Sequence, residues 1–138
     1  MRFMIIRKAD ADTEAGMMPS QELITAMAAY NQEMVDAGVM LSGDGLKPSA
    51  NGARVSFSGG RPTVIDGPFT EAKELIAGVS IIEVASKEEA IEWVKRWPRI
   101  DGGGNVQIEI RQLYEFEDFG GDEEIADLVA LREQMANR

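Results

Sequence analysis

The chain contains no cysteine and no histidine. Without cysteine there are no disulfides, no thiolate nucleophile and no sulfur ligand for a metal. Without histidine there is no imidazole base near neutral pH, no Ser-His-Asp arrangement and no HExxH zinc site. Any proton transfer falls to Asp, Glu, Lys, Arg or Tyr. Basic residues are scarce too: 14 Lys and Arg stand against 24 Asp and Glu, a formal net charge of −10. Direct nucleic-acid binding is therefore not expected, because phosphate neutralisation needs clustered cations. No apolar run approaches the roughly 18 residues of a membrane span. The opening "MRFMIIRKAD" flanks a very short apolar core with charge and lacks a small-residue cleavage site, so it reads as a strand and not as a signal peptide. A cytoplasmic location without membrane association is expected.

What is present fits one ordinary domain. The chain has 138 residues, 44% of them hydrophobic and 28% charged, enough to bury a core without staples. Charge is unevenly placed. Glu115, Glu117, Asp118, Asp122, Glu123, Glu124 and Asp127 occur with no basic residue between Tyr114 and Leu131. The expected division is thus a domain over residues 1–114 and an acidic, partly helical extension over residues 115–138.

Within the domain the periodicity alternates between strand and helix. "MRFMIIRK" is apolar on both faces, as an interior strand is. Ser20 caps a helix whose stripe is Leu23, Met27, Tyr30 and Met34, widened by Ile24, Ala28 and Val35. "VMLSGDGLKPS" is a strand marked by Gly43 and Gly45, where a bulge or a close approach is expected. "ARVSFSGGRPTVIDG" carries Val55 and Phe57, turns at Gly59-Gly60 and returns through Thr63, Val64 and Ile65 as a hairpin. "GVSIIEVA" is a strand. Ser86 and Glu89 fit a capping box ahead of Ala90, Ile91, Val94 and Trp97, and Pro98 stops that helix. "NVQIEIRQLYEF" is the last strand. In the tail, residues 122–136 bring Ile125, Leu128, Val129 and Arg132 together as a short helix.

Without the inserted hairpin the order is β-α-β-β-α-β, an α+β, ferredoxin-like pattern with both helices on one face of an antiparallel sheet. The two-faced apolar strands imply that a second subunit's sheet covers the other face, making a homodimer.

The stretch "DGPFTEAKE", residues 66–74, concentrates local chemistry. Asp66-Gly67-Pro68 is a turn signal, with Asp66 able to accept from the following backbone. Glu71, Lys73 and Glu74 crowd behind it. Asp66 sits where the hairpin returns toward the sheet, and Asp44 belongs to the glycine-marked strand. A carboxylate buried there has its pKa raised and serves as an acid or base. Paired with Lys73 or Arg7 it stays ionised and is a structural tie.

Other features have plainer uses. Trp93 and Trp97 suit core packing better than ligand stacking, and the methionines suit adaptable filling. Arg54 and Arg61 read as a solvated hairpin edge. "DGGGN", residues 101–105, lacks the Lys-Ser/Thr of a phosphate loop and reads as a connection. No calcium-loop spacing appears, so neither a metal nor a cofactor is expected.

"DGPFTEAKE" followed by "LIAGVSIIEV", with "LITAMAAYNQEMVDAGVMLSGDGLKPS" upstream, resembles the YCII-related (YciI-like) family, in the branch named for its DGPF motif. The similarity runs from Met1 to about Leu113. It implies a dimeric α+β barrel of ferredoxin-like protomers with a cleft at the motif aspartate, here Asp66. In YciI-type members a His and an Asp face each other in that cleft, and activity is inferred from the pair. This chain keeps the Asp and lacks the His, so the dyad is unavailable.

Two classes of function follow. In the first, a small molecule is bound or converted in a cleft centred on Asp66 as catalytic carboxylate, with Arg7, Asp44, Phe69, Glu71 and Lys73 binding the ligand. In the second, the protein is a non-catalytic dimeric regulatory or interaction module associated with transcription, which makes its contacts through the acidic C terminus.

Overall fold

The structure, a computed structural model, describes residues 1–70 and 74–137. Strand β1, Arg2–Lys8, lies inside the main sheet, and its side chains alternate with the two-residue period of a strand: Phe3, Ile5 and Arg7 are buried, whereas Met4 and Ile6 are half-buried. It pairs antiparallel with β5, Ile76–Glu83, on one side and with β6, Ile108–Gln112, on the other. Strand β2, Met40–Gly45, adds to the far edge of β5, giving the order β2-β5-β1-β6.

The expected dimeric barrel is overturned. The four strands form an open sheet with β2 and β6 as separate edges. Closure requires more strands, tilted and staggered into a ring, than this sheet supplies. The hairpin does not extend it either. Strands β3, Ala53–Ser58, and β4, Arg61–Asp66, pair only with each other as a second, two-stranded sheet. What remains is an α+β fold of antiparallel sheets and helices.

Helices cover the face that carries Phe3, Ile5 and Ile82. After the single turn α1, Ala11–Glu14, the long α2 spans Gln21–Asp36, and α3 spans Lys87–Val94. Ser20 caps α2 by accepting from the Leu23 N–H. Tyr30 and Met34 are buried and Met27 packs beside them, but Ile24 and Val35 stay 46% and 53% exposed, so the buried stripe is narrower than the periodicity predicts. At α3, Ser86 accepts from the Glu89 N–H, while the Glu89 carboxylate accepts from the Ala85 N–H, one residue earlier than a regular capping box. Ala90, Trp93, Val94 and Trp97 complete the core against Ile108 and Ile110.

Local turns follow their glycines. Gly59 and Gly60 both hold positive φ, 57° and 79°, as a type I′ hairpin turn requires. In β2 the register shifts between Met40 and Ser42, ahead of Gly43 and Gly45. Helix α4, Asp122–Ala136, occupies the expected part of the tail; its Ile125 is buried, and Arg132 lies 4.3 Å over the Phe116 ring. No helix among the described residues is long and apolar enough to cross a membrane.

Tyr30 ties α2 to α3. Its hydroxyl donates to the Trp93 carbonyl at 2.7 Å, and its ring meets that of Trp97 edge-on at 5.7 Å. Burial pushes the phenol up to about 12, so it stays a neutral donor. Tyr30→Phe keeps the ring packing and loses the hydroxyl bond; urea unfolding should show a loss of about 1 kcal/mol.

Candidate functional site

The end of β1 carries the most strongly organised polar group of the described chain. Arg7 is the last inward-facing residue of the strand, so the sheet's alternation drives its guanidinium toward the helix side. There it donates to both oxygens of Asp101, from Nη2 at 2.7 Å and from Nε at 3.1 Å. Nη1 reaches the Asp10 carboxylate at 3.2 Å and the Lys8 carbonyl at 2.8 Å. Trp97 Nε1 donates to Asp101 at 2.9 Å, completing its partners. Arg7 and Asp101 are 8% and 7% exposed, a buried ion pair with its hydrogen bonds filled.

The charges stabilise each other. The hydrogen bonds that Arg7 donates to Asp101 raise the Arg7 pKa above its ordinary value. Burial works against the Asp101 anion, but the hydrogen bonds from Arg7 and Trp97 outweigh it and hold the carboxyl below its usual range. Asp10 is lowered as well, first by the Thr13 backbone N–H, which it caps at the start of α1, and then by Arg7. The chain leaves Asp101 through Gly102, Gly103 and Gly104, with φ of 58°, 64° and 87°. Only glycine takes that path without strain. A cleft of about 340 Å³ lies beside this corner, lined by Arg7, Lys8, Ala9, Asp10, Asn105, Val106 and Gln107.

A second cleft, about 350 Å³, is bordered by the other end of α1. Its polar lining is Glu14, Lys47, Ser49, Asn51 and Glu74, and its apolar lining includes Leu46, Leu75 and Ile76. Glu14, at the end of α1, accepts from Ser49 twice, from its N–H at 2.9 Å and from its hydroxyl at 2.6 Å. Ser49 Oγ in turn accepts from the Phe69 N–H at 3.0 Å. The DGPF segment is thereby fastened to the wall of this cleft. Gly67 donates to the Gly52 carbonyl at 3.0 Å and lies so close to the Ser49 carbonyl that a Cβ on Gly67 would overlap it. The Gly67-Pro68 peptide is cis.

The residues singled out from the sequence do not form one constellation. Arg7 points to the helix face of the sheet. Asp44 lies directly opposite Val79, which is in register with Ile6, so it belongs to the other face. Asp66 is exposed at the end of β4 opposite Ala53 and lines neither cleft. Phe69 is half-buried, with the Arg54 guanidinium 4.0 Å above its ring. Arg54 is thus a packing partner of the motif and more than a solvated edge. Glu71 and Lys73 lie outside the described residues. Among the described residues no cluster of three or more carboxylates is arranged to hold a metal ion.

Sequence reading missed Asp101, Glu14 and Ser49. Asp101 was passed over within a glycine-rich connection, although its spacing of four from Trp97 was a usable signal. Glu14 and Ser49 are 35 positions apart and have no local signature.

Two outcomes test this geometry. Asp101→Asn leaves Arg7 buried without its anion, and stability at pH 7 should fall by about 3 kcal/mol in urea unfolding. The folded state lowers the carboxyl pKa values of Asp101 and Asp10, so their contribution is present above about pH 4 and lost as pH falls through the folded values. The difference between wild type and variant should accordingly shrink when unfolding is repeated at low pH. Separately, Gly67→Ala forces the corner off Ser49 and should cost about 1–3 kcal/mol. Gly45→Ala, with no neighbour within 4 Å of the added Cβ, is its control and should stay within about 0.5 kcal/mol.

Comparison with known proteins places the chain. An uncharacterized protein of Rhizobium meliloti (strain 1021) is 31% identical over 75 residues, which cover 54% of this chain and 60% of that protein. The chain thus spans about 60% of the length of that curated relative. A solved structure, 5-chloro-2-hydroxyhydroquinone dehydrochlorinase (TftG) from Burkholderia phenoliruptrix AC1100 in complex with 2,5-dihydroxybenzoquinone, is similar at 19% identity and a TM-score of 0.42, covering 83% of this chain and 96% of that one. Residues 1–117 match the family model of the YCII-related domain, so the chain belongs to the YCII-related family.

Proposed function

We propose that the protein binds a small polar molecule in the cleft beside the DGPF corner, and that the motif assigns it to the DGPF branch of its family. The observation that carries this reading is the hydrogen-bonded run from Phe69 through Ser49 to Glu14, which builds one wall of a preformed opening of about 350 Å³. That volume lies in the range of small-molecule sites. The lining offers an apolar side from Leu46, Leu75 and Ile76, and a polar side with two carboxylates, one ammonium group and the Asn51 amide. A ligand with hydroxyl or amino donors and a small apolar body matches it. Asp66, exposed and outside the cleft lining, takes part through the Asp66-Gly67 corner and not by touching the bound molecule. In this reading residues 1–114 form the binding unit and residues 115–138 an extension.

The test is ligand-observed NMR with a library of small polyols, amines and hydroxy acids, followed by backbone shift mapping. Hits should perturb residues 46–52 and 74–76, and Lys47→Ala or Asn51→Ala should weaken them by about tenfold, or 1.4 kcal/mol. Perturbations confined to other surfaces, or hits indifferent to both substitutions, would overturn the assignment. Asp66→Asn, outside the lining, should leave the affinity of the hits unchanged.

A further inference from the structure

The hairpin has two faces of different chemistry and two edges of different capacity. Ser58 and Arg61 flank the Gly59-Gly60 turn, so Ser58–Arg61, Ser56–Thr63 and Arg54–Ile65 are the hydrogen-bonded pairs of the ribbon. Their side chains share one face, which carries both arginines and no acidic residue. The alternate pairs, Phe57–Pro62 and Val55–Val64, put four apolar side chains on the opposite face. Val55, Phe57 and Val64 are 53%, 70% and 65% exposed there. In these alternate pairs the backbone N–H and C=O groups point away from the partner strand. On β4 that outward row is broken at Pro62, which has no N–H. On β3 it is intact at Val55 and Phe57, and no further strand among the described residues pairs with it. An intact open edge is a template for another strand, and an isolated two-stranded ribbon is only marginally stable in water.

We infer that the outer edge of β3 takes up an extended peptide of a partner protein, in which acidic and apolar residues alternate, as an added antiparallel strand. Residues directly opposite in an antiparallel pair share a face, so the peptide's apolar side chains lie beside Val55 and Phe57 and its apolar residues' amides bond to the outward groups of β3. Its acidic side chains fall on the other face, beside Arg54 and on the side of the ribbon that carries Arg61. Arg54 is steadied there by its stacking 4.0 Å over Phe69. Neither arginine is ion-paired among the described residues. The alternation of the ribbon thus specifies the alternation of its partner: apolar on one side, negative on the other. This edge lies outside the lining of both clefts, so it is separate from the small-molecule site.

The test titrates fluorescein-labelled synthetic peptides of about eight residues onto the full chain and follows anisotropy. A peptide of alternating valine and glutamate should bind, and one of alternating valine and lysine should bind at least about tenfold more weakly. The backbone gives the sharper readout. Replacing every valine by N-methylvaline removes the amides that face β3 and should abolish binding, whereas N-methylation of every glutamate alters only the peptide's outer edge and should leave binding nearly unchanged. Amide shift mapping should place the peptide at Val55 and Phe57. Arg54→Glu and, as a second variant away from Phe69, Arg61→Glu should each favour the lysine peptide over the glutamate one, with circular dichroism to confirm folding. No binding of the valine–glutamate peptide at about 1 mM, equal binding of the lysine peptide, or equal loss from both N-methylated peptides would overturn the inference. So would Val55 and Phe57 amides already protected at every dilution of the peptide-free protein, which would give the edge to a second copy of the chain.

Discussion

The buried charge of Arg7 organises one end of the molecule. An arginine at the last inward position of an interior strand has either to leave the core or to find an anion inside it. Here it meets Asp101, 94 positions away, and Asp10, three positions on. The first contact ties β1 to the segment that follows α3. The second fixes the start of α1, where Asp10 also accepts from Thr13. A single guanidinium therefore sets the path of the chain on both sides of the strand end, through directional hydrogen bonds that apolar packing does not provide.

The DGPF corner inherits that order. With α1 anchored at Asp10, Glu14 at its other end is held where Ser49 reaches it, and Ser49 receives the Phe69 N–H. The motif thus acts through backbone and aromatic contacts: Gly67 because no side chain fits against Ser49, and Phe69 because its amide and ring both have partners. Residues 7–14 contribute to both clefts, Arg7 to Asp10 lining one and Glu14 the other. Anything that moves this segment alters both.

Much of the fold was legible locally. The alternation in "MRFMIIRK", the caps at Ser20 and Ser86, the Gly59-Gly60 turn and the helix over residues 122–136 each arise from interactions within a few positions, and each appears in the structure. The candidate site was less legible. The sequence joins Arg7 to Asp66 as an ion-pair partner and Asp44 to it through the neighbouring glycine-marked strand, yet Arg7 and Asp44 project from opposite faces of the sheet. The side of the sheet a residue takes depends on its register with a neighbouring strand, and a shift of one position reverses it.

The sequence by itself determined the chemistry available: carboxylates and cations without imidazole or thiol, strands and helices in their order, and a tight corner at Gly67-Pro68. It determined these because residue type, period and turn propensity act over short range. Only the tertiary structure decided that the sheet stays open, that Arg7 pairs with Asp101, and that Glu14 and Ser49 stand between the motif and a cleft. Those outcomes depend on which distant segments share a register and a face. That choice is made by burial and charge pairing over the whole chain, and no local window contains it.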